Sequence, residues 1–176
     1  MAALSVAIAA AAGAADLAAA RALIGEYFAT SAADPDFSRC LAAQGAEAEL
    51  AGLPGDYAPP GGRLLLARVR GEVAGCVALR PVPGDAAACE MKRLFVRPAF
   101  RGNGVARALV HALLREAAAA GYRQMVLDTL PSMKAAQALY RELGFEDVAA
   151  STSHPVEGAR YMTRSLAAVN DATPGS

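Results

Sequence analysis

The sequence predicts a mixed α/β (α+β) domain, and three observations predict it. Segments of period two or continuous apolar character alternate with segments of period 3.6, in the order strand, two helices, three strands, helix, strand, helix, two strands. A chain of 176 residues has the size of one domain with a real core, and no repeat or linker divides it. A loop with two glycines, Arg101-Gly102-Asn103-Gly104, joins an apolar strand ending at Val96 directly to an amphipathic helix.

The apolar start, Met1 to Ala15, resembles a signal peptide in composition. No Lys or Arg precedes it, however, and it runs into the helical pattern Leu17, Ala20, Leu23, Ile24, Tyr27. It therefore reads as a strand over Leu4–Ala9 and a helix near Ala14–Ser31. Asp34 to Leu53 reads as a second helical stretch, with Leu41, Ala48 and Leu50 apolar. Gly52 to Gly62 holds three prolines and four glycines and is a loop. Arg63–Val69 and Val73–Arg80 form a hairpin about Arg70-Gly71-Glu72. After a loop over Pro81–Ala87, a strand runs from Ala88 to Val96. The helix Gly104–Ala120 places Val105, Leu109, Ala112, Leu113 and Ala117 on one face and Arg107, His111 and Arg115 on a solvated one, and Gly121 ends it. Gln124–Thr129 is a buried strand. Ser132 caps a helix to Leu143 that Gly144 closes. Phe145–Ala149 and Ala159–Leu166 are a closing strand pair. Residues 1–166 are expected to form the domain and 167–176 a disordered tail.

Seventeen basic side chains balance seventeen acidic ones. That balance argues against nucleic acid or an anionic membrane as partner, since both need a clustered basic face. No run is long and apolar enough to read as a membrane span. Cys40, Cys76 and Cys89 are odd in number and too far apart for a zinc pattern, which points to buried thiols, a reducing cytoplasmic setting and no metal.

The glycine loop is a seat for phosphate. Glycines let the backbone approach a ligand with its N–H groups inward, and the helix N-terminus adds unpaired donors and a positive dipole end. A dinucleotide fingerprint would need a third glycine where Arg107 stands. A Walker-type loop would need Lys and Ser or Thr where Val105-Ala106 stand. A plain tight turn explains neither Arg101 nor the later motif.

Arg101-Gly102-Asn103-Gly104-Val105-Ala106 resembles the pyrophosphate loop of the GNAT superfamily of acyl-CoA-dependent N-acetyltransferases, whose pattern is Gln/Arg-x-x-Gly-x-Gly/Ala. Val96-Arg97-Pro98 before it and Ala138-Leu139-Tyr140-Arg141-Glu142-Leu143-Gly144-Phe145 after it match as well, in the right order. The resemblance implies a mostly antiparallel central sheet with flanking helices and a splay between the fourth and fifth strands, where the pantetheine arm of acetyl-CoA lies. Backbone groups of Leu94, Phe95 and Val96 would pair with that arm. The N–H groups of Arg101, Gly102, Asn103, Gly104, Val105 and Ala106 would hold the pyrophosphate, with Arg107 close by. The family often has Asn where this chain has Met133; Ser132 or Lys134 stands nearest to replace that contact, with Ala136 and Tyr140 on the same helix.

Acetyl transfer from a thioester needs a neutral amine, a stabilised oxyanion and a protonated leaving thiolate. Neutralising a lysine-like amine of pKa ~10.4 at pH 7 costs about 4.6 kcal/mol, against about 1 kcal/mol for an α-amine of pKa ~7.8. A general base therefore matters most for the first kind of acceptor. By the resemblance Glu90 is that base, acting through water. Read from the residues alone, it is equally an ion-pair partner of Lys92 or Arg80. The N–H of Leu94 is the implied oxyanion donor, and Tyr140 the implied general acid, with packing beside Phe145 as its structural alternative. Tyr27, Tyr57 and His154 are weaker candidates for the acceptor side. Asp128 reads as a structural carboxylate, and Arg93, opposite Glu90 by strand alternation, as a surface or sheet-pairing charge. The expected acceptor is a small-molecule or peptide amine, and a homodimer is open. A non-catalytic acyl-CoA sensor on the same fold is the alternative, and Glu90 with Tyr140 favours the enzyme.

Overall fold

The computed structural model describes residues 5–149 and 158–167. Its elements in chain order are β1 (Val6–Ala10), α1 (Gly13–Ser31), α2 (Pro35–Ala43), α3 (Ala46–Ala51), β2 (Arg63–Val69), β3 (Glu72–Val82), β4 (Asp85–Val96), α4 (Val105–Ala119), β5 (Gln124–Thr129), α5 (Lys134–Glu142), β6 (Glu146–Val148) and β7 (Arg160–Ser165). The seven strands form one sheet in the order β1-β2-β3-β4-β5-β7-β6. Every neighbouring pair is antiparallel except β4 and β5. His154 and nearly all of the expected tail lie outside the described residues.

The apolar start of the chain is edge strand β1, paired with β2 from Val6↔Val69 to Ala10↔Leu65. The predicted stripe of α1 buries Ala20, Leu23 and Ile24 against one face of the sheet. The predicted stripe of α4 buries Val105, Leu109, Ala112, Leu113 and Ala117 against the other. Each fully buried Leu contributes about 1.5–3 kcal/mol. No helix among the described residues is long and apolar enough to cross a membrane.

Four local readings differ from the sequence expectation. The single helix over 34–53 is two, because Gly45 takes a left-handed φ of 65° and turns the chain between α2 and α3. The loop expected over Pro81–Ala87 is a tight turn, with β3 running on to Val82 and β4 starting at Asp85. Ser132 does not cap α5. Its hydroxyl donates to Asp34 Oδ2 at 2.8 Å, and Asp34 is itself the cap of α2, accepting from the N–H of Asp36. Arg93 is not a surface charge: it is 7% exposed.

The burial of Arg93 follows from a β-bulge. The register of β3 and β4 slips between Cys76 and Ala78, and Arg93 adopts φ 60°. Before the bulge Met91 faces the α4 core and Glu90 and Lys92 the other side. After it Leu94 and Val96 pack toward α4, while Arg93 and Phe95 face α1. The extra residue inverts the alternation and so gathers Glu90, Lys92, Arg93 and Phe95 on one face.

Candidate active site

β4 and β5 pair only at Ala88↔Gln124, Cys89↔Met125 and Glu90↔Val126. Beyond these positions β4 continues to Val96 and β5 to Thr129 with no ladder between them. The strands therefore part at Glu90, and the gap opens toward the chain segment that carries the glycine loop. The connections explain the divergence: β4 stays bound to β3 through the bulge, while β5 is held along its full length by β7.

At the far end of β4 the chain turns through Pro98–Phe100 into the loop. Gly102 and Gly104 have φ of 76° and 75°, and a Cβ on either would meet no atom within 4 Å. The glycines are needed here for their backbone angle, not for room. Arg101 is exposed, yet it is not free: its Nε donates to the Val96 carbonyl at 2.9 Å and its guanidinium lies over Phe95 at 5.7 Å. That contact occupies one of the β4 carbonyls expected to face the pantetheine. Asn103 Nδ2 donates to the Arg101 carbonyl at 3.1 Å and so braces the turn. The first backbone N–H of α4 with an intrachain acceptor is that of Ala108, bonded to the Gly104 carbonyl at 3.0 Å. The N–H groups from Gly102 to Arg107 have no acceptor among the described residues, a row of donors aligned with the positive end of a helix dipole. The Arg101 N–H is instead bonded to the Pro98 carbonyl at 3.2 Å. The Arg107 side chain pairs with Glu142 of α5, and Val105 is buried, so what each leaves without an acceptor among the described residues is its main-chain N–H.

Two cavities flank the point where the strands part. A small one, about 60 Å³, lies in the gap, lined by Tyr27, Arg93, Leu94, Met133 and Tyr140 among others. A large one, about 580 Å³, is lined by Arg80, Glu90, Val126 and Met162 among others. Gln44, Lys92, Leu127 and Asp128 line both. The Lys92 ammonium donates to Gln44 Oε1 at 3.0 Å and to Asp128 Oδ1 at 3.1 Å, and Gln44 Nε2 closes the triangle on Asp128 Oδ2 at 3.0 Å. This polar cluster is the wall between the cavities. Burial acts to raise the pKa of Asp128, but the Lys92 charge and the bonds from Lys92 and Gln44 outweigh it and hold the carboxyl below its ordinary range.

Glu90 takes both partners that sequence reasoning offered it. Arg80 Nε donates to its Oε2 at 3.0 Å, and the Lys92 ammonium is 3.5 Å from its Oε1. A second carboxylate lies behind it. Glu49 of α3 accepts from Arg93 Nε at 2.7 Å and from the Tyr57 hydroxyl at 2.7 Å, and is 3.9 Å from Arg80 Nη1. Arg93 also lies 5.1 Å from the centre of the Phe28 ring, and its Nη2 is buried with no acceptor among the described residues. Gln44 and Glu49 escaped sequence reasoning. Both sit on short helices whose pattern says only which face is apolar, and no spacing marks them as partners of β4.

Tyr140 lines the small cavity, 8% exposed, with its ring 5.8 Å from Phe145. Burial pushes its phenol well above the ordinary value, helped by Tyr27 and Asp128 nearby. Tyr27 stacks on Phe95 at 5.5 Å and also lines this cavity; burial raises its phenol to about 12. Tyr57 is a packing residue tied to Glu49 and lines neither cavity. Lys134 is exposed at the start of α5 and Ala136 packs against the core. Met133 stands at the N-cap and offers α5 no side-chain bond.

Residues 27–145 match the Acetyltransferase (GNAT) family. The chain belongs to that family, and acyl transfer is its chemistry. An uncharacterised N-acetyltransferase of Schizosaccharomyces pombe is 38% identical over 72% of this chain and 78% of its own length. Human N-acetylaspartate synthetase is 38% identical over 62% of this chain, but only 35% of the synthetase is matched. Among solved structures, the PaiA N-acetyltransferase of Thermoplasma acidophilum in complex with coenzyme A superposes with TM-score 0.71 at 14% identity, covering 92% of this chain and 99% of the other. That likeness extends the family's fold, splay included, over nearly the whole chain.

Proposed function

We propose that this GNAT acetyltransferase moves an acetyl group from acetyl-CoA to the amine of a small molecule or peptide by direct attack. The row of unclaimed N–H groups from Gly102 to Arg107, set at the mouth of the gap between β4 and β5, carries the reading. Such a row suits a diphosphate, and the gap beside it suits an extended chain ending in a thioester. Coenzyme A in the T. acidophilum relative supports the same donor. Lys134, exposed at the start of α5, would add positive charge beside Met133 and not at the glycine loop, whose Arg107 meets the other end of α5. Ser132 donates its one hydroxyl proton to Asp34 and has only acceptor lone pairs left for a ligand.

The amine enters from the large cavity and meets Glu90, which takes its proton through a water held against the carboxylate. The amine nitrogen attacks the thioester carbonyl, and the Leu94 N–H stabilises the oxygen that gains charge, a contact of about 3–4 kcal/mol. The C–S bond breaks, and Tyr140 donates to the departing sulfur. Burial keeps that phenol protonated across the working range. A phenol is the weaker acid, ordinarily ~10 against ~8.5 for a thiol, so its service is a hydrogen bond to the forming thiolate, and the proton that the acylated nitrogen sheds on becoming an amide completes the thiol. The products are the N-acetyl amide and coenzyme A.

Passage from Glu90 to Leu94 crosses the Gln44–Lys92–Asp128 cluster, so that cluster must bend to admit the amine. Thiol release on mixing the protein with acetyl-CoA and a broad amine panel tests the proposal. Tight binding of acetyl-CoA by calorimetry with no thiol release from any amine would instead make the chain an acyl-CoA sensor.

A further inference from the structure

Three cations surround the acceptor side of the site, and they differ in what they have left to give. Lys92 spends its donors on Gln44, Asp128 and Glu90. Arg93 also leaves Nη2 without an acceptor among the described residues, but it is buried against Glu49 and Phe28 and does not line the large cavity. Arg80 is different. Its Nε is bonded to Glu90, but its terminal amino groups have no hydrogen-bond partner among the described residues, and Nη1 is 3.9 Å from a Glu49 carboxylate oxygen. Its side chain is 28% exposed and lines the large cavity. The carboxylates show the opposite pattern. Glu90 and Asp128 are already paired, which leaves Asp56 as the one carboxylate on this cavity without a partner among the described residues.

Resting on the acetyltransferase reading, we propose that the acceptor is an α-amino acid or a close analogue, its carboxylate bound by the open face of Arg80 beside Glu90. A guanidinium offers a planar fork of donors that matches a carboxylate, and an unpaired one facing a cavity is a recognition group. Glu90 and Arg80 stand side by side, a carboxylate next to a cation. An ammonium next to a carboxylate on one small molecule is the complementary pair, so both halves of the acceptor are matched at once. The apolar wall of Pro81, Val82, Val126 and Met162 then receives the side chain. A polycation fits poorly, because it finds a single unpaired carboxylate.

The test is thiol release with acetyl-CoA and matched acceptors: each of the common amino acids beside the amine that remains when its carboxylate is removed, for example L-leucine and isopentylamine. At least one amino acid is expected to exceed its partner amine by about 100-fold in kcat/KM. Arg80→Met should bring that ratio to within a few-fold, mainly through KM for the amino acid, and Arg80→Lys should restore part of it. An equal fall for both members of a pair would show that Arg80 only holds Glu90, and would overturn the proposal. Inhibition of the unaltered protein by N-acetyl-leucine, set against N-acetyl-isopentylamine, reads the same carboxylate site without any substitution; equal inhibition overturns it too. Thiol release confined to amines without carboxylates sinks this inference alone. Release from no acceptor at all sinks the transferase reading with it.

Discussion

Glu90 is flanked by a guanidinium on one side and an ammonium on the other, yet it still fronts the large cavity. The ion pairs are in place and the cavity leaves the carboxylate accessible for the proposed base role, and kinetics separates the two. With Glu90→Gln, kcat/KM for a slowly deprotonating amine should fall about 10²–10⁴-fold near neutrality. It should recover as pH approaches the pKa of the amine, where no base is needed. A uniform loss at every pH would assign Glu90 to holding Arg80 and Lys92 in place. Tyr140 separates in the same manner. Its ring packs on Phe145 whether or not the hydroxyl acts, so Tyr140→Phe keeps the packing and removes only the donor. A fall of about 10–100-fold in kcat with acetyl-CoA binding intact is expected. An acyl donor with a more acidic leaving thiol should lose less, and unchanged kcat would remove Tyr140 from the mechanism.

Two short devices arrange these residues: the bulge in β4 and the two-glycine turn before α4. The turn was legible in the sequence, because glycine at two positions beside an Arg has few other uses. Replacing Gly104 with Ala forces a Cβ onto φ 75°, at a cost of about 1–2 kcal/mol. The expected result is a modest loss of stability and a rise of tenfold or more in KM for acetyl-CoA, with kcat at saturation little altered; an unchanged KM would contradict the phosphate seat. The bulge was not legible. Strand alternation is a local rule, and nothing in Cys89–Val96 signals that one extra residue faces Val77, so Arg93 was assigned to the wrong side. What decides its side is Glu49, on a helix of six residues whose place in space depends on Gly45. The gap between β4 and β5 came from family resemblance, whereas the ion-pair web behind it, made of contacts far apart in the chain, had no sequence pattern to announce it. Glu49→Ala should test that web: it strands Arg93 in the core and should cost about 3–5 kcal/mol, while the apolar double replacement Glu49→Leu with Arg93→Met should recover much of the loss. Urea unfolding of Glu49→Leu, Arg93→Met and the double replacement measures the coupling, and additive losses would mean the pair is not a unit.

Across the molecule, buried ionisable groups set the pH range in which the fold holds. Asp128 and Glu49 are depressed by their cationic and hydrogen-bonding partners in spite of burial, which acts to raise them. A depressed carboxyl stabilises the fold above its unfolded value, ~3.9 for Asp and ~4.3 for Glu, and that contribution is lost as pH falls through the lower folded value. On the alkaline side the signs reverse. Burial raises the Cys76 and Cys89 thiols to about 12, against ~8.5 when unfolded. The contribution of these neutral thiols is complete below ~8.5 and is lost as pH climbs toward 12, because the unfolded chain ionises first. At pH 10 each thiol accounts for about 2 kcal/mol of that loss. Unfolding free energy is therefore expected to be level from about pH 5 to 8, to fall below pH 4 and to fall again above pH 9. Cys76→Ala with Cys89→Ala should lower the plateau by the lost packing and flatten the alkaline limb while leaving the acid limb in place. Urea midpoints at half-unit pH steps compare the two proteins, and an alkaline limb just as steep without the thiols would show that buried cysteines do not set that boundary.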